Sequence, residues 1–138
     1  MKIYNKQNII TNKEIYRILK MSKFKSYEFS LGIIERRLDI FKITNIKIFI
    51  LALISMRNEG ATFKYGYLTS VINIYNLDGN KEDKKLYGIG VLLHELMHVS
   101  GVVDEDKCDK YAIDFLNNNS NYIKQILNLK DEWIVEEF

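Results

Sequence analysis

The chain has no proline, one cysteine, two histidines and no apolar run longer than seven residues. A lone cysteine, Cys108, cannot close an internal disulfide, which agrees with a reducing compartment. The longest apolar run, residues 48–54, falls far short of the ~20 residues that span a bilayer, so no membrane partner is expected. The start, Met1-Lys2-Ile3-Tyr4-Asn5-Lys6, carries charge but is followed by neither an apolar region nor a small-residue cleavage site. A soluble, cytoplasmic protein is the expectation. The missing proline, beside abundant Lys, Ile and Asn, reads as coding bias rather than as a structural signal. With 138 residues at 47% hydrophobic content, the chain suits one domain able to bury about two-thirds of its unfolded surface.

Net charge is only +2, yet it is unevenly placed. Residues 1–58 hold 12 Lys/Arg and 4 Asp/Glu, a net of +8, and residues 59–138 hold 8 and 14, a net of −6. A basic half can mark a nucleic-acid surface. It is more often a solvated face, and the aromatics Phe24, Tyr27 and Phe29 among Lys20, Lys23 and Lys25 read as core-facing, so nucleic acid is the less expected partner.

Neither repeats nor low-complexity tracts occur. Asn12 suits the N-cap of a helix through about Lys20, and Ser26 or Ser30 the start of a second helix through Glu35-Arg36-Arg37-Leu38 to about Phe41. Residues 46–54 are apolar and β-branched enough for a buried strand. After the turn signal Asn58-Glu59-Gly60, residues 61–67 and 71–75 alternate as strands do, and together these suggest a small antiparallel sheet. A loop at Leu77-Asp78-Gly79-Asn80 leads to a helix opening at Lys81 or Glu82. Gly101 suits the position just past that helix, where positive φ is free. Asp104 then caps another helix, with Glu105 and Asp106 complementing its dipole and Cys108, Tyr111, Ala112, Phe115 and Leu116 as its apolar stripe. A last helix is expected over 122–129, followed by an acidic tail that is loose or packed by Trp133.

The two histidines, His94 and His98, fall in one His-Glu-Leu-Met-His run. Residues four apart on a helix share a face, so both imidazoles can reach one cation while Glu95 projects beside them. Leu86, Ile89, Leu93 and Leu96 mark the buried side of that helix, and the three polar residues mostly fall off this stripe. A catalytic zinc takes three protein ligands and leaves a position open for water. His94 and His98 supply two, and Glu95 suits the general base that takes the water's proton and passes it to the leaving amine.

Two carboxylates compete as third ligand. Asp104 completes H-E-x-x-H-x-x-G-x-x-D, which resembles metzincin spacing, and similar spacing with a third histidine occurs in YbeY-type endoribonucleases. Glu105 begins Glu-x-x-Cys-Asp-x-Tyr-Ala, which resembles the Glu-x-x-Ala-Asp helix of gluzincin-type peptidases, where Glu binds metal and Asp supports the site from behind. Glu105 is preferred, because Asp104 is needed as a cap and no methionine follows Met97 to form the metzincin methionine turn. Asp109, one turn after Glu105, then either hydrogen-bonds a ligand histidine or is merely solvated.

The order of basic N-terminal helices, Val71-Ile72-Asn73-Ile74-Tyr75-Asn76, Leu92-Leu93-His94-Glu95-Leu96-Met97-His98 and Tyr111-Ala112-Ile113-Asp114-Phe115 resembles ImmA/IrrE-type metallopeptidases over about residues 45–118. The interval between His98 and the acidic ligand is short for that family, and Cys108 stands where Ala is common. The resemblance implies a zinc-dependent intracellular protease acting on a protein or peptide substrate, with regulatory proteins as the family's targets.

The expected fold is α+β: a compact zincin-like domain over 1–138, with a helical part at 1–44, a metal-site core at 45–118, and a helix and tail at 119–138. Its small antiparallel sheet would pack on helices, with the HExxH run on a central helix and residues 71–75 as an edge open to strand addition by substrate. Zn²⁺ is the expected cofactor, with His94, His98 and Glu105 as ligands and Glu95 as catalytic base. The rival readings are a metal-dependent endoribonuclease using Asp104 and a non-catalytic zincin-fold binding module.

Overall fold

The computed structural model describes residues 2–6, 9–26, 30–34, 60–65, 67–72 and 79–137. The strand expected over 46–54 and the stretch 35–41 lie outside these residues. The described elements run β1 (Lys2–Asn5), α1 (Asn12–Leu19), β2 (Ser30–Ile33), β3 (Gly60–Tyr65), β4 (Tyr67–Ile72), α2 (Lys81–Val99), α3 (Glu105–Asn118) and α4 (Ser120–Leu127).

The first helix opens one residue earlier than expected, because Thr11 rather than Asn12 closes its end. The Thr11 hydroxyl accepts from Glu14 N while Glu14 Oε1 accepts from Thr11 N at 2.9 Å, a reciprocal capping box. Ile15, Ile18 and Leu19 carry its apolar stripe into the core. The long helix α2 is capped in the same way by Asn80 and Asp83, and α3 is capped by Asp104, as its sequence position implies.

The sheet departs from expectation. Its strand order is β1-β2-β4-β3, and two of the three pairings are parallel: Lys2 opposite Ser30 through Asn5 opposite Ile33, and Ser30 opposite Thr69 through Ile33 opposite Ile72. Only β3 and β4 pair antiparallel, from Gly60 opposite Ile72 to Tyr65 opposite Tyr67. The expected antiparallel sheet is therefore corrected to a small mixed one in a helix-rich fold. The reason lies in the N-terminal segment: Ser30, read as the start of a helix, opens β2, and α1 connects β1 to β2. Parallel neighbours need such a crossover, whereas a tight turn can join only antiparallel ones.

A second correction concerns the edge. Val71, expected at an open edge, lies on β4 between β2 and β3, with Gly32 and Ala61 as its partners. Both sides of that strand are already paired, and the edges of the described sheet are β1 and β3. Residues 73–75 lie outside the described residues.

Helix α2 runs between β3 and β4 on one side and α3 on the other. The expected stripe is buried, with Leu86, Ile89, Leu93 and Leu96 joined by Leu92 in a core shared with Ile15 and Ile18 of α1, Leu31 and Ile33 of β2, and Ala112 and Leu116 of α3. The last helix, α4, begins at Ser120, directly after α3, and ends at Asn128, whose φ of 54° and ψ of 49° are left-handed. The tail is packed rather than loose: Trp133 Nε1 donates to the Leu116 carbonyl, and the Asn117 side chain makes a bond in each direction with the Val135 backbone. Among the described residues, no helix is long and apolar enough to cross a membrane.

Candidate metal centre

Helix α2 delivers His94, Glu95 and His98 in its last two turns and then stops abruptly. Val102 N donates to the Met97 carbonyl and Gly101 N to the His98 carbonyl, a Schellman closure, while Gly101 takes a φ of +104°. Such a φ is strained for any residue with a Cβ. The chain reverses over the next residues, and α3 begins at Glu105, beside the turns that carry the histidines.

Two imidazole nitrogens and one carboxylate meet at this junction. His94 Nε2 and His98 Nε2 lie 3.2 Å apart. Glu105 spans them, Oε2 at 2.8 Å from His94 Nε2 and Oε1 at 3.0 Å from His98 Nε2. The other ring nitrogens face acceptors: His94 Nδ1 is 2.6 Å from Asp109 Oδ1, and His98 Nδ1 is 2.8 Å from the Val102 carbonyl oxygen. An Nδ1 that faces an acceptor carries the proton, so in the neutral ring Nε2 keeps its lone pair. The two Nε2 atoms and the carboxylate then converge, an arrangement that either a proton on one ring or a shared metal ion satisfies.

Burial grades across the group. The histidine side chains are 13% and 19% exposed, against 70% for Glu105, so the imidazoles form the floor and the carboxylate stands on the solvent side. Glu95 is buried. Asp104 faces away, its Oδ1 accepting from Asp106 N at 2.9 Å and Lys107 N at 3.2 Å. Among the expected site residues, His94, His98, Glu105 and Asp109 converge, and Asp104 caps its own helix.

Two residues near the centre were not singled out for it by the sequence. The Val102 carbonyl holds His98, and the only sequence signal for that contact was Gly101, whose turn aims the carbonyl back at α2. Cys108, placed on the apolar stripe of α3, is buried with Sγ 3.6 Å from His98 Nδ1 and 3.7 Å from the Val102 oxygen. His94, His98 and Cys108 form a group able to hold a metal ion. Glu105 suits the third position better, because it faces the two unprotonated Nε2 atoms, whereas Cys108 faces the Nδ1 edge that Val102 already occupies. Burial pushes the Cys108 thiol up from its ordinary 9.0 to about 11, helped by the negative charges of Glu105, Glu95, Asp109 and Asp104.

No protein-family profile, curated protein or solved structure matches the chain. The likeness to ImmA/IrrE-type peptidases rests on the motif residues alone.

Proposed function

We propose that this protein is a zinc-dependent metallopeptidase, of the ImmA/IrrE-like kind, that hydrolyses peptide bonds in a protein substrate in the cytoplasm. The observation that supports it most is the meeting of His94 Nε2, His98 Nε2 and the Glu105 carboxylate. Ligands held at ~2.0–2.1 Å around a tetrahedral Zn²⁺ sit about 3.3 Å from one another. The 3.2 Å between the two nitrogens matches that spacing. Two nitrogens and one oxygen from protein, with the exposed side left for water, form the ligand set of hydrolytic rather than structural zinc.

Bound zinc would supply Lewis-acid activation of water and of the scissile carbonyl. The chain's own groups do the rest. Asp109 and the Val102 carbonyl fix ring orientation and tautomer, so that His94 and His98 present Nε2. Glu95, next to His94 on the same helix, takes a proton from the attacking water on a carboxylate oxygen and delivers it to the leaving amine nitrogen. The peptide C–N bond breaks, the water oxygen joins the carbonyl carbon, and Glu95 returns to its ionised state. The buried thiol of Cys108 stays reduced and uncharged, which suits a cytoplasmic setting.

The test uses the purified full chain and a pool of unstructured peptides, with products read by mass spectrometry. Cleavage that is abolished by a chelator, restored by Zn²⁺ and lost in Glu95→Gln supports the proposal. Peptides left intact by zinc-loaded protein, or cleavage unaffected by Glu95→Gln, overturn it.

A further inference from the structure

We infer that the outer face of α1 is a docking surface for the phosphodiester backbone of duplex DNA. Lys13, Arg17 and Lys20 follow an i, i+4, i+7 pattern, which places them within about 60° of arc along some 10 Å of helix. All three are exposed. Among the described residues they have no ion-pair partner. The helix's single acid, Glu14, is turned back onto Thr11 N in the capping box, so it is committed to the helix end. The stripe continues into the exposed Lys23 and Lys25 of the following turn. There Lys23 Nζ lies 4.8 Å from the centroid of the Tyr111 ring, and Lys23 N donates to the Tyr111 hydroxyl at 3.3 Å.

Three considerations favour a bound polyanion over a plain solvated face. Lys13 lies in the first turn of α1, where a cation opposes the helix dipole, so helix stability does not account for it. Arg17 and Lys20 near the other end do favour the dipole, but the dipole does not require them to align with Lys13. The remaining charge is segregated, net −6 over residues 59–138, which confines an anionic partner to the basic end of the chain. An anionic bilayer fits less well, because Ile15, Ile18 and Leu19 are all buried, and Tyr16 alone is too little exposed apolar surface on α1 for insertion. A stripe of ~10 Å covers about three phosphates of one strand at ~3.4 Å axial spacing. Such contacts fix position without reading sequence.

The test is fluorescence anisotropy of the full chain with three probes: a labelled mixed-sequence 20-bp DNA duplex, a single-stranded RNA of equal length, and phosphatidylserine-containing vesicles. The Lys13→Gln/Arg17→Gln/Lys20→Gln variant is compared with Lys81→Gln/Lys107→Gln/Lys130→Gln, which removes the same charge from exposed sites elsewhere. Neutralising ~3 phosphates predicts roughly 40-fold weaker duplex binding between about 50 and 200 mM salt. The α1 variant should lose at least tenfold in affinity at the lower salt and most of that salt dependence, and the control variant should keep both. No binding of the duplex up to about 100 μM, equal losses in the two variants, or tighter α1-dependent binding to the RNA or to vesicles overturns the inference.

Discussion

His94 Nε2 and His98 Nε2 face each other at 3.2 Å, and neither neutral ring has a proton to place between them. Each Nδ1 is engaged by its own acceptor, Asp109 in one case and the Val102 carbonyl in the other. Two cations can resolve the contact: a proton that makes one ring an imidazolium paired to Glu105, or a metal ion held by all three residues. The two alternatives respond in opposite ways to added zinc and to substitution.

Removal of either imidazole should eliminate tight zinc binding, since two protein ligands cannot maintain a hydrolytic site. His94→Ala and His98→Ala are each expected to lose at least ~10³-fold in affinity by chelator competition. Retention of wild-type affinity by either variant would remove that residue from the ligand set.

The first two residues of the α3 start should separate cleanly. Glu105→Ala should weaken zinc binding strongly at little cost to folding, because its side chain is 70% exposed. Asp104→Ala should leave zinc affinity nearly intact and cost on the order of 1 kcal/mol in denaturant unfolding, through loss of the cap to Asp106 N and Lys107 N. The reverse pattern would place Asp104 on the metal.

Asp109→Asn tests support from behind the ligands. The amide keeps the shape but loses the charge that holds His94 Nδ1–H, so zinc affinity should fall about 10–100-fold while both histidines still bind. Unchanged affinity would mean the 2.6 Å contact is incidental to the site.

The Cys108 thiol should resist alkylation by iodoacetamide at pH 8 in the folded protein and react rapidly in denaturant. Its folded pKa is raised by burial and by surrounding carboxylates, so folding favours the protonated form. That contribution to stability is complete below pH 9 and is lost as pH rises from 9.0 toward about 11. Fast alkylation of native protein at pH 8 would contradict this.

The site was more legible than the fold. His94, Glu95 and His98 are adjacent in sequence and α2 is long, so helix periodicity alone fixes their relative placement. Gly101 and Asp104 then encode the stop and restart that bring Glu105 back, because each has a specific backbone task. The sheet was obscured by the brevity of its strands: β1 and β2 have four residues each, too few for a period of two to register against the helical pattern around them. Ser30 suits a helix cap as readily as a strand start, and only pairing with Lys2 and Thr69 decides between them. Parallel pairing is a long-range property that local pattern does not carry. The Cys108 contact with His98 was hidden for a related reason, since a buried cysteine on an apolar stripe looks the same whether or not a ligand lies behind it.

The most direct measurement is the metal content of the 138-residue chain, purified from zinc-replete cells and extensively dialysed, by inductively coupled plasma mass spectrometry. One zinc per chain in the wild type, near zero in His94→Ala, His98→Ala and Glu105→Ala, and close to one in Glu95→Gln is the predicted result. Wild-type protein that is metal-free and takes up no added Zn²⁺ would contradict the account.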